Sequence, residues 1–196
     1  MVKLFRRTED WAEWLEREHG TSAGVWMRIA KKGSKLQSVT YQEALEVALC
    51  YSWIDGQKRP ESEDSWLQKF LPRSARSLWS KINREKALAL IASGRMKAAG
   101  LAAIEKAKQA GRWEAAYDSS SRALVPVDLQ AALEASPRAK AFFETLDKTN
   151  RYAVLWRIQT VKRAETRARK IGQFVAMLER KEKIHEPRSR QGDRAL

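Results

Sequence analysis

The sequence predicts an α+β protein: a small antiparallel sheet with helices in the N-terminal half, followed by an all-helical C-terminal half. Three observations carry this. Segments 24–31, 51–58 and 65–71 alternate apolar and polar residues with the period of a half-buried strand. From Ser80 onward apolar residues fall at helical spacing instead. The stretch DSSSRAL, residues 118–124, is small and polar and divides the chain. The expected parts are an α+β domain with a cleft (1–117), a connection (118–124), a helical domain (125–183) and a frayed polar tail (184–196).

Taken in order, Val2 to Phe5 reads as a short strand. Thr8 reads as an N-cap, with Glu9 and Asp10 in the first turn and Trp11, Trp14, Leu15 and Glu18 at helical spacing up to Gly20. Val25, Met27 and Ile29 alternate with Trp26 and Arg28 as a strand. Thr40 caps YQEALEVALC, with Gln42 and Glu43 near the capping-box position. CYSWIDGQ and SWLQKFLP are strands joined by the polar loop KRPESED. Helices follow: SKINREKALALIASG closes at Gly94, and an alanine-rich segment stops at Gly111. Pro126 and Pro137 suit first helical turns, Asp147 suits a cap, and the last helix spans about 164–183.

The formal net charge is +14, and residues 151–196 hold 13 Lys/Arg against 5 Asp/Glu. Such a surface attracts polyanions, so non-specific nucleic acid is one expected partner, through Arg163, Lys170 and Arg180. No apolar run is long enough for a membrane helix, and the first residues have no apolar signal core, so a cytoplasmic protein is expected. The single cysteine, Cys50, excludes an internal disulfide and reads as a buried, inert thiol. Two histidines and one cysteine are too few for a zinc site. No Gly-rich phosphate loop and no Ser-His-Asp context occurs, so neither cofactor nor metal is expected.

The chemistry-bearing stretch runs from residue 50 to 83. On a strand, Tyr51, Trp53, Asp55 and Gln57 share one face. Trp53 can be plain core and Asp55-Gly56 a plain turn. FLPRSARSLWSKIN then places Arg73, Ser77, Trp79, Lys81 and Asn83 between a strand end and a helix start, where unpaired N–H groups and guanidiniums suit an anion. Ser80 can equally be a simple cap there. The geometry predicts that Trp53, Asp55, Arg73 and Trp79 converge, with Arg73 beside Asp55. In the last helix, Ile171, Phe174, Val175 and Leu178 form an apolar stripe, and Arg167 lies on the same side. It is expected to be partly buried, either snorkelling over the end of the core or held by a partner, structural or a ligand.

Three stretches together resemble the YdeI/OmpD-associated (bacteriocin-protection) family: YQEALEVALCYSWIDGQ, the segment from FLPRSARSLWSKIN to GRW, and the segment from VPVDLQ to RARKI. The motif residues are Tyr51, Trp53, Ile54, Asp55 and Gly56; Pro72, Arg73, Ser77, Trp79, Ser80 and Asn83; and Lys162, Arg163, Glu165, Thr166, Arg167 and Arg169. Ala164 stands where relatives often have proline. The resemblance implies protection against bacteriocins or cationic peptides and association with an outer-membrane porin, with no reaction or cofactor. The expectation is therefore a cytoplasmic stress-protection protein binding a small or anionic ligand in a Trp/Arg-lined cleft. Alternatives are a nucleic-acid-associated basic protein and an enzyme using Asp55.

Overall fold

A short parallel strand opens the sheet, which differs from the purely antiparallel expectation. β1 (Val2–Lys3) runs alongside β2 (Val25–Ala30) in the same direction. β3 (Trp53–Pro60) and β4 (Ser65–Pro72) form a hairpin, and β4 also pairs antiparallel with β2, giving the order β1-β2-β4-β3. The parallel neighbour is possible because α1 (Thr8–Glu18) carries the chain back between the two strands. The structure is a computed structural model and describes residues 2–186, so most of the expected frayed tail lies outside the described residues.

The helices follow the sequence signals, with local corrections. Arg7, not Thr8, caps α1: its backbone N–H donates to Asp10 Oδ2 at 3.2 Å and its guanidinium to Oδ1 at 2.6 Å. Thr40 caps α2 (Tyr41–Cys50) in a reciprocal box with Glu43. α3 (Lys81–Ala92) and α4 (Ala98–Gln109) complete the first half. α5 (Val127–Glu134), α6 (Pro137–Glu144), α7 (Lys148–Gln159) and α8 (Ala164–Glu179) form the second, with no strand among its described residues. α8 stops earlier than expected because Lys181 adopts a left-handed φ of 59° just past its end.

The chain divides between Ala116 and Tyr117 into two compact units, each with its own core. In the first, Trp11, Trp53 and Phe70 are fully buried between the sheet and α1 and α2. Trp11 stacks on Trp14 with centroids 5.3 Å apart, and Trp14 meets Trp53 edge-on at 5.6 Å. The Trp11 indole satisfies its N–H on the Ala44 carbonyl at 3.0 Å. In the second unit, Leu129, Leu133, Val154, Ile158 and Leu178 are wholly or almost wholly buried among α5, α6, α7 and α8. Gly100 sets how closely α4 approaches α2: a Cβ there would lie 2.5 Å from the Cys50 carbonyl oxygen and 3.0 Å from that of Leu49.

Candidate functional site

A pocket of about 340 Å³ opens in the first unit where α2 turns into β3 and the chain leaves β4. The turn is made by Ser52, held at a φ of +63°, where a residue with a Cβ is strained. Its carbonyl accepts the Arg73 N–H at 2.8 Å, and the ladder pairs Trp53 with Pro72. The hairpin register thereby brings residues 19 and 21 positions apart to one mouth.

Beyond Pro72 the chain forms a braced loop. The Ser74 N–H donates to Ser77 Oγ at 3.0 Å, and the Ser77 N–H returns to the Ser74 carbonyl at 3.0 Å. This curl directs the Arg73 side chain onto Trp79, with its guanidinium carbon 3.8 Å from the ring centroid, and Nη1 donates to the Leu78 carbonyl at 3.2 Å. Trp79 is itself backed edge-on by Trp113 at 4.8 Å. The Arg–Trp wall is thus fixed from behind.

The opposite wall is α4. Ala99, Ala102, Ala103 and Lys106 occupy i, i+3, i+4 and i+7 and face the pocket together. Their small side chains leave room, while Lys106 and Arg112 bring two more cations. Neither of these two takes part in an ion pair among the described residues, and no carboxylate lines the pocket. His19 completes it, its Nδ1 2.8 Å from the Leu15 carbonyl. A carbonyl only accepts, so Nδ1 carries the proton and Nε2 is left for other partners. Tyr51 donates its hydroxyl to Glu16 at 2.6 Å; burial, and then that carboxylate, push its pKa up and keep it neutral.

Of the eight residues expected to bind a ligand, Trp53, Arg73, Ser77 and Trp79 line this pocket. Asp55 does not, and the expected Asp55–Arg73 pair is absent. Asp55 pairs with Phe70 along the ladder and accepts the Tyr41 hydroxyl at 2.7 Å, while Arg73 leaves the strand beyond Pro72 and turns to Trp79. Tyr41 is held neutral by burial and then by Asp55, both raising its pKa. Lys81 and Asn83 sit on the first turn of α3, outside the lining, where Ser80 Oγ accepts the Asn83 N–H at 3.1 Å. The cap thus takes one of the N–H groups that an anion would use.

Arg167 belongs to the second unit. It is partly buried and grips both oxygens of Asp128, with Nη1 donating to the Ile158 carbonyl at 2.8 Å. Of the residues expected for nucleic acid, Arg163 precedes α8 at its cap, Lys170 is half-buried, and Arg180 pairs with Glu182 at 2.8 Å. That unit has a pocket of its own, about 360 Å³, along one face of α7 at Lys148, Tyr152 and Trp156.

His19, the three alanines, Lys106 and Arg112 escaped the reading of the sequence. A small-residue stripe ending in a lysine was visible, but not which wall it faced. Among the described residues no cluster of His, Cys, Asp or Glu suits a metal ion, and no helix is long and apolar enough to cross a membrane. Cys50 is buried, and burial pushes its thiol pKa up.

Residues 3–103, just over half of the chain, match a family model described as Domain of unknown function (DUF8412). Residues 123–181 match the model described as Bacteriocin-protection, YdeI or OmpD-Associated. The second match takes in the Lys162–Arg169 motif, whereas the motifs around Trp53 and Trp79 fall within the first. No curated protein and no solved structure matches the chain.

Proposed function

We propose that this chain, which belongs to the DUF8412 family through its first half and carries a YdeI/OmpD-associated segment in its second, is a protective binding protein rather than a catalyst. Its cargo is a small organic anion, taken into the pocket of the first unit. One observation carries the reading: Arg73, Lys106 and Arg112 surround an apolar floor of tryptophan and alanine with no carboxylate among the lining residues. A carboxylate or phosphate ester meets guanidinium and ammonium groups there, and its apolar body meets the alanine face. Asp55, the candidate base, is engaged by Tyr41 and lies outside the lining, which weighs against an Asp55-centred reaction.

A protein of net charge +14 repels cationic peptides, so protection by direct capture of such peptides is disfavoured. Removal or buffering of an anionic compound in the cytoplasm fits the charge better. The test is a tryptophan-fluorescence and calorimetric titration with benzoate, phenyl phosphate and neutral benzamide. The anions are expected to bind and benzamide not to, with Arg73→Ala weakening the anions at least tenfold. Equal binding of benzamide, or no effect of Arg73→Ala, would overturn the reading.

A further inference from the structure

The sheet has a second face, turned away from the buried Met27 and Phe70. Trp26, Leu67 and Leu71 lie on it, half-exposed and belonging to neither core. The register sets Lys69 opposite Trp26, and Leu67 between Arg28 on one side and Arg59 on the other. The Arg59 guanidinium lies 4.5 Å from the Trp26 ring centroid, and Lys69 Nζ approaches the same ring at 5.8 Å. Lys58 pairs with the buried Gln68 and its Nζ sits 4.1 Å over Trp66, so it belongs to the opposite, core-side face. Arg28 is neutralised by Glu61 at 2.6 Å, but Arg59 and Lys69 form no ion pair among the described residues.

We propose that this face binds single-stranded nucleic acid. Arg59 and Lys69 meet successive phosphates, and Trp26 with the Arg59 guanidinium offers flat surface on which unpaired bases stack. The charge is complementary, since two unneutralised cations stand on this face, on adjacent strands of a chain whose net charge is +14. A duplex fits less well, because its bases are reached by a helix or ribbon entering a groove and not by a flat sheet. An anionic membrane also fits less well: binding there uses a protruding apolar face, whereas the Trp26 ring lies under cations within the sheet. None of these residues lines the pocket, so this proposal and the anion-binding reading stand or fall separately.

The test is fluorescence anisotropy of the full chain with a labelled oligothymidylate of roughly 12 nucleotides and its duplex with oligoadenylate, over a salt series. The single strand is expected to bind at least tenfold more tightly than the duplex and to quench tryptophan emission. Trp26→Ala weakens it by about tenfold or more, the loss of one stacked base, while Trp26→Phe keeps most of the affinity. The double change Arg59→Ala and Lys69→Ala, both at surface side chains, reduces the log–log salt slope by about 1.4, two phosphates' worth. Changing Arg163, Lys170 and Arg180 to Ala leaves the slope and the single-strand preference in place. Equal affinity for duplex, wild-type binding by Trp26→Ala or by the double variant, or a Trp26-dependent preference for phosphatidylserine vesicles would overturn the proposal.

Discussion

Arg73 and Arg167 are both arginines at the edge of an apolar region, yet the two units employ them differently. In the first unit Arg73 lies along the face of Trp79 at the mouth of a pocket that also holds Lys106 and Arg112. In the second, Arg167 closes onto both oxygens of Asp128 and a carbonyl of α7, tying α8 to its neighbours. A guanidinium stacked on an aromatic ring keeps its N–H groups in the plane beside the ring, whereas one closed on a carboxylate commits two of them to a fixed fork. The ring under one arginine and the carboxylate under the other separate a pocket wall from a structural clamp.

The largest effect that bears on this contrast concerns the room the first unit keeps. Gly100→Ala drives a methyl into the carbonyls ending α2, costing about 3 kcal/mol by overpacking, read as a lowered denaturant midpoint. It also displaces α4, so anion binding falls with stability. A stable Gly100→Ala protein with an unchanged pocket would break the account of α4.

Next comes the clamp. Arg167→Ala is expected to destabilise the second unit by about 1–2 kcal/mol, discounted because both side chains are partly exposed, and to leave anion binding alone. The pair also has a pH signature. Hydrogen bonding from Arg167 holds the Asp128 carboxyl below its ordinary value. A depressed folded pKa means that the contribution is present above the unfolded value, near 4, and is lost as pH falls through the lower folded value. Asp128→Asn should remove that acid-side loss in melts followed from pH 6 downward, and a profile parallel to wild type would dissolve the clamp.

Arg73→Ala is expected to do the opposite of Arg167→Ala. Stability falls by about 0.5–1 kcal/mol, the worth of an exposed cation–π contact, while anion affinity drops at least tenfold. If both arginine variants shift only the thermal midpoint, the contrast collapses. Asp55→Asn is the smallest change. Asparagine keeps an oxygen for the Tyr41 hydroxyl, so stability shifts by less than about 1 kcal/mol and anion titrations overlay wild type.

Much of the fold was legible because its signals are local. The alternation of Val25, Met27 and Ile29, the Thr40–Glu43 box, Ser136 before Pro137 and Asp147 before α7 each act within a few residues of the chain. Where a local signal had two readings, the structure chose. Asp10 drew the cap of α1 to Arg7, and Lys181 ended α8 before the charged run did. Four of the eight residues expected to bind a ligand do line the pocket, since Trp53, Arg73, Ser77 and Trp79 follow from one hairpin and the turn after it.

The sequence by itself determined the α+β class, most helix starts, the hairpin and the wealth of unmatched positive charge, because propensity, capping and periodicity are properties of neighbouring residues. Only the tertiary structure decided that α4 forms the far wall of the pocket, that Asp55 meets Tyr41 instead of Arg73, and that Arg167 meets Asp128. Each of those partners lies 14 or more positions away, Arg167 and Asp128 being 39 apart. Such a contact is set by where packed elements come to rest, and a Cβ at Gly100 would be enough to move one of them.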